Sequence, residues 1–191
     1  MNDKVFGFAY MMAFRDATMR NAFPRRDGES DKTLQDRKTE IKKHSNQIVH
    51  DYIDAIMSCQ NTDSLDSPDP IETIFQLCDQ ENTDNGFTFG NAQKLVNMTA
   101  KYMFLSVYND PKKRKNYVSC HCPMDSVMMD RIRENSEKYG LGNIKWKYSW
   151  SRLRIEDESV KEYERFQEYI RKIAEEEGIL PIEADFLLWD E

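Results

Sequence analysis

The chain of 191 residues is long enough to enclose a hydrophobic core, and its composition favours amphipathic helices over buried parallel strands. Hydrophobic residues make up 39%, charged residues 32%, and the mean hydropathy is -0.79. An aromatic content of 12% excludes a disordered chain, and a formal charge of -7 disfavours sequence-independent nucleic-acid binding except through a local basic patch. We therefore expect a mainly α protein with a single helical domain of roughly six to eight helices and at most a short strand or hairpin.

The N-terminal sequence and the cysteines indicate the compartment. The first residues lack the basic start, apolar run and cleavage site of a secretory signal, so we expect none. No stretch approaches the roughly twenty apolar residues of a membrane span. The four cysteines are expected to be reduced thiols. We predict a cytoplasmic protein without membrane contact.

The first half of the chain predicts three helices. The first runs from about Lys4 to Phe23, is apolar over most of its surface, and ends at Pro24. The second covers about Lys32–Cys59, and the third begins near Pro70. The segment between them is rich in Asn, Asp, Ser and Pro, so it is a candidate linker that permits two lobes within the one domain: lobes 1–60 and 70–191, linker 61–69.

The second half predicts a helix from about Asn91 to Tyr108, preceded by FTFG as an extended piece or a lead-in. Asp125 follows the extended sequence YVSCHCP and is a candidate N-cap for a helix closed by Gly140 or Gly142. The segment 145–155 is either a strand or a groove-lining loop. A further helix ends at Gly178, and the apolar tail should dock on the body.

Four polar residues share one face of the helix near residue 94, because they fall within about a third of a turn: Gln93, Lys94, Asn97 and Lys101. A solvated face is one interpretation. The other makes Lys94 a nucleophile or a phosphate contact. Asp125 likewise is either a simple helix cap or a fixed carboxylate that stabilises a cation or activates water.

The sequence GNAQKLVNMTAK, followed by an extended segment and CPMDSVMMDRI, resembles the catalytic half of helix-hairpin-helix DNA glycosylases. The resemblance implies that the Lys94 amine attacks the sugar carbon and that Asp125 stabilises the developing positive charge. The spacing between the two is similar to that of the archaeal branch acting on oxidised guanine. The family's glycine-rich hairpin is reduced here to NGFTFGN, with Gly86 and Gly90.

A basic and aromatic segment provides the strongest nucleic-acid signal. The run KKRK at 112–115 and the sequence KWKYSWSRLR at 145–154 carry local positive charge, the latter with aromatics interleaved for base stacking. The candidate binding residues are Lys145, Trp146, Trp150 and Arg152. Alternatively, the aromatics face the core and the basic residues are simply solvated.

Cys120, His121 and Cys122 do not predict a metal site, since adjacent ligands on an extended chain point to opposite sides and no second ligand pair is present. We expect no metal and no cofactor. His121 is instead a candidate binding residue that forms a hydrogen bond at the site.

Two function classes follow from these observations. The first is a DNA glycosylase-like hydrolase that excises bases with Lys94 and Asp125. The second is a non-catalytic helical module for a protein or a nucleotide-like ligand, in a stress or phage-defence setting. A third hypothesis is a ribonuclease similar to the HEPN proteins, because Arg37 and His44 match their Arg-x6-His spacing.

Overall fold

The computed structural model describes residues 1–19, 23, 25–59, 68–78 and 87–189. In these ranges the chain is mainly α and forms no strand, as the composition predicts. The eight α-helices of the described residues are α1 (Asp3–Thr18), α2 (Asp31–Ser58), α3 (Pro70–Cys78), α4 (Phe89–Leu105), α5 (Pro111–Arg114), α6 (Ser126–Glu134), α7 (Asp157–Glu177) and α8 (Ala184–Trp189). Short 3₁₀ helices cover Lys115–Tyr117, Trp150–Arg152 and Pro181–Glu183.

Helix α4 is the central element of the fold. It packs against α1, α2 and α3 and against the 3₁₀ turn Trp150–Arg152, and most of its residues are buried. The Thr88 hydroxyl accepts a hydrogen bond from the Asn91 amide and caps the helix, so FTFG is a lead-in rather than an extended piece. Because α4 has neighbours on most sides, its polar side chains must find partners inside the protein.

Helix α1 differs from its predicted form in length and in burial. It ends at Thr18 rather than near Phe23, and the predicted stop at Pro24 lies outside the described residues. Only one face is buried, which leaves Phe8 and Met11 more than half exposed. The buried face carries three alanines at four-residue spacing, and their small side chains allow α1 to approach α4 closely: Ala9, Ala13 and Ala17.

The second half of the chain packs against α4 through the turn Trp150–Arg152, and α6 and α8 pack against α7. Helix α6 begins after its cap Asp125, as predicted, but it ends at Glu134, and turns rather than helix lead to Gly140. The segment 145–155 is a loop with a 3₁₀ turn. The C-terminal tail docks as expected, with Ile182 and Leu188 fully buried.

The buried apolar residues of the described chain form one contiguous cluster that draws on both halves. Most of the candidate linker, residues 61–67, lies outside the described residues, so the two-lobe alternative stays a prediction. No helix of the described chain has the length and apolarity needed to cross a membrane.

Candidate active site

Lys94 and Asp125, 31 positions apart in the chain, meet in space. The Lys94 Nζ lies 3.2 Å from Asp125 Oδ2, and the two side chains are 13% and 17% exposed. The other oxygen, Asp125 Oδ1, accepts a hydrogen bond of 3.0 Å from the Met128 amide at the start of α6. The Asp125 carboxylate is thus both a helix cap and an ion-pair partner. The Lys94 side chain is partly exposed, so solvent reaches its amine.

Trp150 completes the immediate surroundings of the amine. Its ring centroid lies 4.6 Å from Lys94 Nζ, within the range of a cation–π contact. The loop that carries Trp150 is held against the first turn of α4, where the Gly90 amide donates to the Leu153 carbonyl over 3.3 Å. The structure therefore brings three of the predicted site residues together: Lys94, Asp125 and Trp150.

The Gln93 and Asn97 side chains are buried on the protein side of the ion pair. The prediction of a solvated helix face is therefore wrong for these two residues. Both side chains are 0% exposed. Asn97 Nδ2 donates to Gln93 Oε1 over 3.2 Å and to the Tyr163 hydroxyl over 2.8 Å. Both side chains contact other parts of the protein rather than solvent, and the ligand-binding role that the sequence also suggests for Gln93 and Asn97 stays a prediction.

His121, which is partly buried, belongs to the same hydrogen-bond network. Its Nδ1 lies 2.9 Å from the Tyr163 hydroxyl, and burial, reinforced by Arg171, lowers the pKa of His121 to about 3. The Tyr163 hydroxyl accepts from Asn97 and has both a proton and a second lone pair for a hydrogen bond with His121 Nδ1, so either tautomer of the neutral imidazole is served. His121 is a neutral hydrogen-bonding residue, as expected, and not a cation.

Lys101 forms an ion pair with Asp185 of the C-terminal tail, a partner that its position on the helix face does not predict. Its Nζ lies 2.7 Å from Asp185 Oδ1, and the Asp185 side chain is 3% exposed. Burial raises the pKa of Asp185, and the Lys101 charge opposes this effect. Asp185 was missed in the sequence because the tail is mostly apolar, although acids among apolar residues are themselves a sign of buried partners, and the neighbouring Glu183 likewise pairs with Arg114.

In the basic and aromatic segment, some side chains face the core and others face solvent. Trp146 faces inward: its Nε1 donates to the Met129 carbonyl over 3.0 Å and its ring contacts Phe166. Lys145 and Arg152 are exposed. The core-facing alternative therefore applies to Trp146, which cannot stack on a base without leaving its place, whereas the two basic residues remain available to a ligand.

The cysteines beside His121 are structural. Cys120 and Cys122 are both 0% exposed, and burial raises the pKa of each thiol, so both stay protonated. A protonated, buried thiol is a poor nucleophile and a poor metal ligand. Across the described ranges, no three His, Cys, Asp or Glu side chains group closely enough to hold a metal ion.

The residues of the ribonuclease hypothesis lie on α2. Arg37 donates from Nε and Nη2 to the Glu29 carboxylate over 2.8 and 2.9 Å, and His44 is exposed. The hypothesis stays a prediction, with Arg37 engaged by an acid within its own chain.

Comparisons with known protein families, with curated proteins and with solved structures yield no significant match. The resemblance to DNA glycosylases thus stays a prediction that depends on the residues of this chain alone.

Proposed function

We propose that Lys94 and Asp125 are the reactive pair of a DNA glycosylase-like enzyme that excises a base and forms a covalent intermediate. The observation that carries the proposal is the 3.2 Å separation between a partly exposed amine and a carboxylate fixed at a helix N-terminus. A nucleophile within hydrogen-bonding distance of a base, with that base oriented by a third group, is the arrangement that covalent catalysis requires. Here the third group is the Met128 amide.

The chemistry assigns one role to each member of the pair. A lysine amine attacks carbon only after it has lost a proton, and the Asp125 carboxylate lies close enough to take it. The Nζ–C1′ bond then forms as the bond to the base breaks, and the base leaves with that electron pair and takes up the proton that Asp125 accepted from the amine. The Asp125 carboxylate, restored by this transfer, stabilises the positive charge near C1′. The bound nitrogen then loses a proton, and its lone pair expels the ring oxygen O4′, which is protonated, to give a Schiff base.

The nucleic-acid partner in this proposal meets the protein through the exposed Lys145 and Arg152. Trp150 lies beside the amine and offers an aromatic face near the reacting sugar. The cytoplasm is the setting in this proposal, because the buried Cys120 and Cys122 keep protonated thiols and thiols stay reduced in that compartment.

Borohydride trapping tests the proposal directly, because it reduces a Schiff base to a stable protein–DNA adduct. DNA with an abasic site, oxidised guanine or another damaged base is incubated with the wild-type chain. We expect an adduct that Lys94→Gln abolishes and that Asp125→Asn slows by about 100-fold or more. Lys172→Gln, a change of an exposed lysine on α7, should trap at the wild-type rate.

A failure to trap any of these substrates would contradict the proposal. It would favour the alternative of a non-catalytic helical module in which Lys94 and Asp125 are a structural ion pair. In that case Lys94→Gln should lower the free energy of unfolding and leave any ligand binding intact.

A further inference from the structure

Two glutamines from different helices hold the extended segment that leads into Asp125. Gln93 of α4 donates from Nε2 to the Met124 carbonyl over 2.7 Å and accepts from the Met124 amide over 3.1 Å. Gln167 of α7 does the same for Cys122, with distances of 2.7 and 3.1 Å. Both side chains are buried. Each glutamine thus supplies the pair of hydrogen bonds that a neighbouring strand would otherwise make to an extended chain.

We propose that Gln93 is a positioning residue that fixes the Asp125 carboxylate against the Lys94 amine. The inference rests on the proposed function for its catalytic consequence. Met124 directly precedes Asp125, and both of its backbone hydrogen-bonding groups are held by Gln93. Gln93 in turn directly precedes Lys94, so a single turn of α4 carries the amine and also holds the backbone of its partner.

The amide of Gln93 is fully used, which makes it a rigid support. Nε2 also donates to the Gly90 carbonyl over 3.0 Å, and Oε1 also accepts from Asn97. Two donors and two acceptor positions are all that a glutamine side chain has. Because the amide and the carbonyl of Met124 need opposite partners, only one orientation of the Gln93 side chain satisfies them. A buried network with every hydrogen bond of the amide made restricts motion at the point it supports.

Gln167 provides a matched comparison within the same chain. It is buried, makes the same two backbone hydrogen bonds, and supports the same segment. Its target, Cys122, is however separated from Asp125 by Pro123 and Met124, and its own helix carries no member of the ion pair. If the two glutamines serve only to stabilise the fold, then removing either one should have the same effect at Asp125.

The test compares Gln93→Met with Gln167→Met in the full chain, since methionine has a similar volume and makes neither hydrogen bond. Hydrogen exchange of the Met128 amide, which donates to Asp125 Oδ1, reports the carboxylate position without any substrate. It is measured relative to the Ile170 amide in α7, to remove the effect of overall stability. We expect Gln93→Met to speed this relative exchange about tenfold or more, and Gln167→Met to change it less than about twofold.

Trapping on DNA provides the catalytic measurement. We expect Gln93→Met to lower the single-turnover rate by about 100-fold and Gln167→Met to leave it within about twofold. Adding Gln93→Met to Asp125→Asn should cause no further loss, because Gln93 acts through that carboxylate. A further loss in the double variant, or equal responses of the Met128 amide in the two single variants, would overturn the positioning role.

The experiment separates a failure of the proposed function from a failure of the positioning role, and it provides a second variant in case Gln93→Met does not fold. If the wild-type chain traps no DNA, the proposed function fails, while the Met128 amide still tests whether Gln93 holds Asp125. If Gln93→Met does not fold, Gln93→Glu replaces it, since an ionised carboxylate still accepts from Met124 but cannot donate to it. Its trapping rate relative to wild type should rise as the pH is lowered and the carboxyl regains its proton, and a constant ratio would contradict the positioning role.

Discussion

Asp125 divides its two carboxylate oxygens between two partners, and this division sets what the residue can do. Oδ1 accepts a hydrogen bond from the Met128 amide in the first turn of α6, and Oδ2 faces the Lys94 amine. Capping alone would be served equally well by Ser, Thr or Asn. Only a carboxylate serves both partners, because the second partner is a cation. The residue-level prediction that Asp125 is a cap is confirmed, while its chemical role is what the trapping experiment decides.

His121 should make the stability of the protein depend on pH. Its pKa is about 3 in the folded chain and near 6.5 when unfolded, so between these values the unfolded state binds the extra proton. The stabilisation is therefore complete above pH 6.5 and is lost as the pH falls toward 3. Between pH 7.5 and 5.0 we expect a loss of about 2 kcal/mol in the free energy of unfolding from this residue.

Urea unfolding at the two pH values measures this loss. His121→Gln keeps an acceptor for the Tyr163 hydroxyl but does not titrate. Its loss in the free energy of unfolding between the two pH values should therefore be about 2 kcal/mol smaller than that of the wild type. His44→Gln, at an exposed position of α2, should retain the wild-type loss. Equal losses in wild type and His121→Gln would show that His121 takes up its proton without unfolding the chain.

At the scale of elements, the contact between α4 and the loop 145–155 forms one wall of the candidate site. It depends on close backbone approach at Gly90, where an added Cβ would lie 1.9 Å from the Trp150 carbonyl oxygen. Such a distance is far inside van der Waals contact, and the opposing atom is backbone, which cannot rotate away. The glycine thus allows the loop to lie on α4 and to carry Trp150 to the Lys94 amine.

Gly90→Ala should therefore destabilise the protein by about 1–3 kcal/mol, despite the higher helix propensity of alanine. Gly7→Ala is the matched control, because Gly7 also lies within a helix but a Cβ there meets nothing within 4 Å. That change should stabilise the chain by about 0.5–1 kcal/mol. Thermal unfolding of both variants measures the difference, and a stabilised Gly90→Ala would show that the loop does not rest on α4.

At the scale of the whole molecule, local patterns predict the helices and the cap at Asp125, and the resemblance to DNA glycosylases pairs Lys94 with Asp125, but neither predicts the buried side chains that support this pair. The end of α7 at Gly178 and the cap at Asp125 follow from residue type, and both are found. A solvated face is one of the two interpretations of Gln93 and Asn97 from the sequence, because their residue types are common at the surface. Their burial depends on partners far away in the chain, Met124 and Tyr163, and no local periodicity contains such contacts.

The overall charge of -7 makes any binding of DNA depend on a few exposed cations. Lys145 and Arg152 are exposed and flank Trp150, so we expect them to contact phosphates. Each phosphate contact contributes about 0.9 to the slope of log K against log salt concentration. Lys145→Ala with Arg152→Ala should therefore reduce the magnitude of that slope by about 2 and weaken binding to all sequences alike.

The control is Lys4→Ala with Lys172→Ala, which removes the same number of charges from exposed positions elsewhere and should leave the slope unchanged. Fluorescence-anisotropy titrations of labelled DNA over a range of salt concentrations measure both slopes, and equal reductions would show that only net charge matters.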